Sequence, residues 1–172
     1  MKIFLTVGTQ LPFDRLSKAL DAWCAEAGQG VSVFGQLGKL EAENYRPAHF
    51  EWVEWIDPAS FRDHVEGADL LVSHAGMGSI ITALSTGTEI LILPRRAALR
   101  EHRNDHQLAT ASRFSGTPGL YVADSEEEVA PCIDRAHLTL QEGQGDSAAS
   151  KGIAPFADED LISTLRDFIA GA

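Results

Sequence analysis

Residues 69–94, DLLVSHAGMGSIITALSTGTEILILP, decide the fold. An apolar run over 69–73 breaks at His74 into a turn holding Gly76 and Gly78, and a helical segment opens near Ser79. That segment stops at Gly87, a residue type that commonly ends helices. A second apolar run over 89–93 then closes at Pro94. Both runs are continuously apolar rather than alternating, as strands buried on two faces are. Strand, helix and strand in this order predict a parallel sheet with helices packed against it.

Working outward, the same alternation continues on both sides. Residues 2–7 predict a strand that ends in a glycine turn, and Leu16, Ala19, Leu20 and Trp23 recur at helical spacing within a helix over 13–27. Strands follow over 31–34 and 50–55. Asp57 and Pro58 supply a helix cap and a first helical proline, for a helix ending near Gly67. Beyond Pro94, Asn104 is expected to cap a helix reaching about Phe114, and 120–122 forms a sixth strand. Ser125 and Glu128 have the spacing of a capping box opening a helix to about 140. The expected fold is α/β, a Rossmann-like doubly wound parallel sheet of about six strands with helices on both faces. Residues 1–140 make one domain, without internal repeats. Residues 141–157, rich in Gly, Ser and Ala, read as a flexible linker, and 158–172 as a C-terminal amphipathic helix.

A chain of 172 residues and 44% hydrophobic content suits one globular domain. Its longest apolar runs, 3–7 and 90–93, are too short to cross a membrane, and the N-terminus is a poor export signal. The expected location is therefore the cytoplasm. Cys24 and Cys132 lie far apart and in no CxxC pair, so free thiols are expected. No cluster of His, Cys and carboxylates has metal-ligand spacing, so neither metal nor cofactor is expected. The net charge of −11 argues against nucleic acid or anionic lipid binding across the surface. Within this acidic chain, RRAALREHR at 95–103 concentrates positive charge, which suits an anionic small ligand or a partner.

In open parallel sheets ligands sit beyond the carboxyl ends of the strands. The sequence places Gly8-Thr9-Gln10, Gly35-Gln36-Leu37-Gly38, residues 74–79 and Asn104-Asp105-His106-Gln107 there. Small, polar and basic residues thus gather on one edge, as a phosphate-containing ligand requires. At 74–79 two glycines permit close backbone approach, and the N–H groups of the following helix face outward to bind a diphosphate. Ser79 adds a hydroxyl and His74 a ring N–H. The glycines alone are equally consistent with a turn that binds nothing. The turn is not a dinucleotide fingerprint, because Ile81 stands where a third glycine belongs, nor is it a P-loop.

The order His74-Ala75-Gly76-Met77-Gly78-Ser79, helix, strand ending in proline, then Asn104-Asp105-His106-Gln107 resembles the nucleotide-sugar-binding domain of glycosyltransferase-B-type enzymes. It is most similar to the small subunits of two-component transferases. These include the soluble subunit of the dolichol-linked GlcNAc transferase and bacterial exopolysaccharide subunits acting on lipid-linked acceptors. Residues 3–9 with Phe13-Asp14 match the same group, and Pro94-Arg95-Arg96 before EHRNDHQ at 101–107 fits the bacterial branch best. The resemblance covers roughly residues 1–123.

The resemblance implies a metal-independent, inverting transfer of a sugar from a UDP-sugar, UDP-glucose or UDP-glucuronic acid among the candidates, to a lipid-linked saccharide. Gly8 and Thr9 would line the cleft floor, and His74, Gly76, Met77, Gly78 and Ser79 would hold the diphosphate leaving group. Asp105 and Gln107 would bind sugar hydroxyls, flanked by Asn104 and His106. Arg95 and Arg96 suit a diphosphate or a uronate carboxylate, or else a salt bridge to Glu101 or to a partner. The family usually carries a glutamate for the ribose eight residues after the motif histidine; here that position is Thr82. No residue stands out as the base for the acceptor hydroxyl. The resemblance places that base on a membrane-anchored, acceptor-binding partner subunit, with this chain peripheral at the inner face of the plasma membrane. Trp52 and Trp55 read as core residues, with the partner interface as the alternative; the helix over 158–170 is the better interface candidate. Two other readings remain open at this level: a non-enzymatic nucleotide-sugar-binding regulatory module, and a sugar-nucleotide epimerase.

Overall fold

The computed structural model describes residues 1–143. The expected C-terminal helix and most of the expected linker lie outside the described residues. Six strands form one sheet in the order β3-β2-β1-β4-β5-β6. They are β1 (Lys2–Thr6), β2 (Ser32–Gln36), β3 (Glu51–Val53), β4 (Leu70–His74), β5 (Glu89–Leu93) and β6 (Leu120–Val122), and every neighbouring pair is parallel. The connecting helices are α1 (Asp14–Glu26), α2 (Pro58–Glu66), α3 (Met77–Thr86), α4 (His106–Phe114) and α5 (Val129–Gln141).

Alternate residues of each central strand feed two separate cores. Ile3, Leu5, Leu70, Val72, Leu91 and Leu93 pack with Leu16 and Leu20 of α1 and Val129 and Ile133 of α5. Phe4, Leu71, Ile90 and Ile92 pack with Val65 of α2, Ile80, Ala83 and Leu84 of α3, and Ala111 of α4. Both strand faces must therefore be apolar, which is why these strands read as unbroken hydrophobic runs. The expected doubly wound fold is the one observed. Its chain reverses direction across the sheet between β1 and β4, so their carboxyl ends splay apart and leave a crevice.

Local signals held where the chemistry was entirely local. Asp57 accepts from Ala59 and Ser60 N–H at 3.0 Å each and opens α2. Gly87, at φ 73°, closes α3 in the left-handed region that glycine enters freely. Three boundaries differ from expectation. Helix α3 opens at Met77 rather than near Ser79, so Gly78 and Ser79 lie inside its first turn. Helix α4 is flanked by Asp105 rather than Asn104, whose Oδ1 is 3.5 Å from the His106 N–H. The Ser125–Glu128 capping box does not form: a 3₁₀ turn intervenes, and Glu128 instead accepts from the Asp124 N–H at 2.8 Å.

Asp21 on α1 is 1% exposed and anchors the loop that leads to β3. It accepts from Tyr45 Oη at 2.6 Å and from the N–H groups of Ala48 and His49. Burial opposes its charge, yet these bonds outweigh burial and hold its pKa below the ordinary 3.8. A depressed carboxyl pKa stabilises the fold above the unfolded value, and that stability disappears as pH falls through the folded value. Asp21→Asn is therefore expected to lose roughly 1–3 kcal/mol at pH 7. Urea titrations across pH should show the gap to the parent chain closing below about pH 4. A gap that is constant from pH 7 to pH 2 would show that the charge plays no part.

Candidate functional site

A cleft of about 600 Å³ opens at the carboxyl edge of the sheet, over the β1/β4 crevice. Its floor is Thr6, Val7, Gly8 and Gln36. One wall is the turn and first helical residues after β4, namely His74, Gly76, Gly78, Ser79 and Thr82. The opposite wall is apolar: Trp55, Ile56, Pro58 and Phe61 from the β3–α2 connection. Thr9, Gln10, Leu11, His102 and His106 continue the lining, with the buried Arg95 and Gln107 behind it. The chain is acidic overall, yet among the described residues no carboxylate lines this cleft.

Helix α3 presents its N-terminus here with no side-chain cap, so its first N–H groups and the positive end of its dipole face the cleft. The two glycines of the turn do different jobs. A Cβ on Gly76 would lie 2.0 Å from His74 Cε1, so residue 76 must be glycine to leave room for the imidazole. A Cβ on Gly78 would meet nothing within 4 Å, so this is the open approach to the helix N-terminus. Gly8, at φ 83°, also flanks the ring: a Cβ there would stand 2.8 Å from His74 Nε2. Burial, together with the Arg95 cation, pushes His74 down to about 4, so the ring is neutral at physiological pH.

Arg95 is 3% exposed, and its terminal nitrogens face the protein rather than the cleft. Nη1 donates to the carbonyls of Pro12 (2.8 Å) and Glu101 (3.3 Å), and Nη2 to those of Val7 (2.9 Å) and Leu11 (2.7 Å). The guanidinium also lies 4.5 Å from the centre of the Phe13 ring. All four terminal N–H groups are thus engaged with backbone carbonyls, and none is free to form a fork for a uronate. Its charge remains close to the cleft, because burial pushes its pKa down only to about 10. Arg96 turns toward β6 and donates to the Asp124 carbonyl. The salt bridge expected for Glu101 exists, but with Arg15 on α1, at 2.8 Å to each carboxylate oxygen. Nothing in the local sequence signals that long-range pair.

Among the remaining expected residues, Met77 is exposed but does not line the cleft, and neither do Asn104 and Asp105. Asp105 Oδ1 accepts from the Ala97 N–H at 2.8 Å and braces the turn after β5. Thr82 lines the cleft, its hydroxyl donating to the Gly78 carbonyl at 2.8 Å. Gln107 is buried behind His74. Trp52 packs against the core as expected, whereas Trp55 is 63% exposed at the cleft mouth, contrary to its reading as a core residue. The apolar wall from Trp55 to Phe61 is the part that sequence reasoning missed, because aromatic residues around a helix start read as packing. Among the described residues no group of three or more His, Cys, Asp or Glu is arranged to hold a metal ion. No helix among them is long and apolar enough to cross a membrane.

The family described as glycosyltransferase family 28 C-terminal domain matches residues 2–157. Comparison with curated proteins gave no match. Several solved structures share the fold. Os79 from O. sativa in complex with UDP superposes with TM-score 0.64 at 14% identity, over 87% of this chain and 34% of its own. MurG from Acinetobacter baumannii gives 0.62 at 18% identity, over 86% of this chain and 44% of its own. The glycotransferase of kitacinnamycin gives 0.61 at 18% identity, over 88% and 39%. At these identities the likeness is one of fold, and the chain spans less than half the length of each.

Proposed function

The chain belongs to the glycosyltransferase family 28 C-terminal domains, and from that premise we propose that its cleft binds the nucleotide-sugar donor of an inverting glycosyl transfer. The observation that carries this reading is electrostatic: the chain has a net charge of −11, yet among the described residues no carboxylate lines the cleft. In place of carboxylates it offers an uncapped helix N-terminus, His74 and the nearby charge of Arg95. Such a site favours a diphosphate, and favours it more as negative charge accumulates on the leaving group. His74, Gly76, Gly78 and Ser79 hold the diphosphate, Gly8 and Thr9 form the floor, and His106 and Thr82 face the sugar and ribose.

No metal is needed for this step, since fixed amides and a buried cation stabilise the departing charge. Among the described residues no carboxylate lines the cleft, so a carboxylate base would be supplied from elsewhere. We assign it to a membrane-anchored, acceptor-binding partner that presents a lipid-linked saccharide for exopolysaccharide synthesis at the inner face of the membrane. The resemblance of residues 1–123 to the small subunits of two-component transferases supports that assignment. Because the Arg95 fork is occupied, nothing favours a uronate over a neutral hexose, and UDP-glucose is the first donor to test.

The test is calorimetric titration of UDP-glucose, UDP-glucuronic acid, UDP-galactose and UDP-GlcNAc into the chain, alone and with a membrane fraction of its host. Binding of at least one UDP-sugar is expected, with sugar transfer only when the membrane fraction is added. A Cβ on Gly78 meets nothing within 4 Å, so Gly78→Leu projects into the open approach to α3 and should weaken binding at least about tenfold, or about 1.4 kcal/mol, without lowering the melting temperature. Failure of every UDP-sugar to bind would refute the donor site, and turnover by the chain alone would refute the partner. Binding without transfer under any condition would instead identify a regulatory nucleotide-sugar module.

A further inference from the structure

We propose that Gln107 is a positioning residue that sets the tautomer of His74, so that the ring presents Nε2–H to the cleft beside Gly8. Gln107 is 3% exposed and lies beneath the ends of β4 and β5. Its Oε1 accepts two backbone N–H groups, from Ala75 and from Arg95, each at 3.1 Å. Those two residues are 1% and 3% exposed, so their N–H groups have no water to turn to. Rotating the amide by half a turn would aim its NH₂ at both donors and leave them unpaired at a cost of about 1–3 kcal/mol each. The amide orientation is therefore fixed by the backbone.

The consequence falls on His74. With Oε1 committed, Nε2 of Gln107 is the atom 3.3 Å from His74 Nδ1, and an amide nitrogen only donates. Nδ1 must then be the unprotonated acceptor, and a neutral imidazole carries its proton on Nε2. Burial and the Arg95 cation keep the ring neutral at pH 7, so this single tautomer persists there. The ring is wedged between Gly8 and Gly76, which prevents it from turning over. A backbone-defined amide thus determines which hydrogen-bonding group the cleft offers. Resting on the donor-site reading above, that group is a neutral donor to a phosphate oxygen, with an affinity that does not depend on protonating His74.

The test uses the full chain labelled with ¹⁵N-histidine, and long-range ¹H–¹⁵N spectra at pH 7, with His74→Asn to assign the signal. His74 is expected to show an unprotonated Nδ1 and a protonated Nε2. Gln107→Glu keeps an oxygen for the two backbone donors but places a second acceptor opposite Nδ1. In that variant the Nδ1 signal should move into the protonated range. A protonated Nδ1 in the parent chain, or an unchanged tautomer in Gln107→Glu, would overturn the proposal. Adding UDP separates the two readings: a shifted Nε2–H supports the donor site, while its failure to shift counts against the donor site and leaves the tautomer result standing.

Discussion

Replacing Arg95 with alanine is expected to destabilise the fold by about 3–5 kcal/mol, lowering the melting temperature by roughly 10 °C. The reason is what the guanidinium does in the folded chain. It is 3% exposed and satisfies carbonyls of Val7, Leu11, Pro12 and Glu101, which are otherwise left facing one another without donors. Three of those carbonyls, of Val7, Leu11 and Pro12, belong to the β1–α1 loop, which carries Gly8 and Thr9 into the cleft. Arg95→Lys should rescue little, since a compact ammonium cannot span four acceptors in the plane of a guanidinium. Calorimetric melting of both variants checks this. Were Arg95 a ligand fork instead, alanine would leave the melting temperature unchanged and alter only donor preference.

Gly76→Ala is the second large effect. The added methyl would sit 2.0 Å from His74 Cε1 and 2.7 Å from its Nδ1, while the ring is hemmed in by Gly8 and tied to Gln107. Overpacking of this kind costs about 1–3 kcal/mol, and the ring must leave its place. Binding of UDP-sugars should fall more than about tenfold, because the displaced imidazole also disturbs the helix N-terminus. The decisive measurement is a double-mutant cycle: His74→Ala combined with Gly76→Ala should melt above Gly76→Ala alone, since the clash partner is gone. Additive losses would show that the methyl strains something other than the ring. By contrast Gly78, two residues on, meets open space, so the two glycines are separable by experiment although they look alike in sequence.

That pair illustrates how far the sequence can be read. Continuous apolar runs, the Asp57-Pro58 cap and the Gly87 stop each report chemistry confined to a few neighbouring residues, and the parallel α/β sheet follows from them. The carboxyl edge gathered the right segments for the same reason: strand ends and helix starts are local events. Boundaries slipped where a residue had a distant alternative. Asp105 braces the Ala97 N–H eight residues back, and Glu128 turned back to Asp124 rather than pairing with Ser125. Trp55 was misread because an aromatic near a helix start has the same spacing whether it packs inward or walls a cleft.

The amino-acid order by itself determined the layered parallel sheet and the motif segments at the carboxyl ends of its strands, because hydrophobic periodicity and turn chemistry act over a few residues; the strand order that opens the crevice between β1 and β4 is tertiary. Only the tertiary structure decided the roles within the site. Arg95 reaches back across more than eighty residues to carbonyls of the first loop, and Gln107 reaches across thirty-two to the backbone after β4. In each case a buried polar group takes whatever partner the packing brings within about 3 Å, and no spacing in the sequence encodes which partner that is.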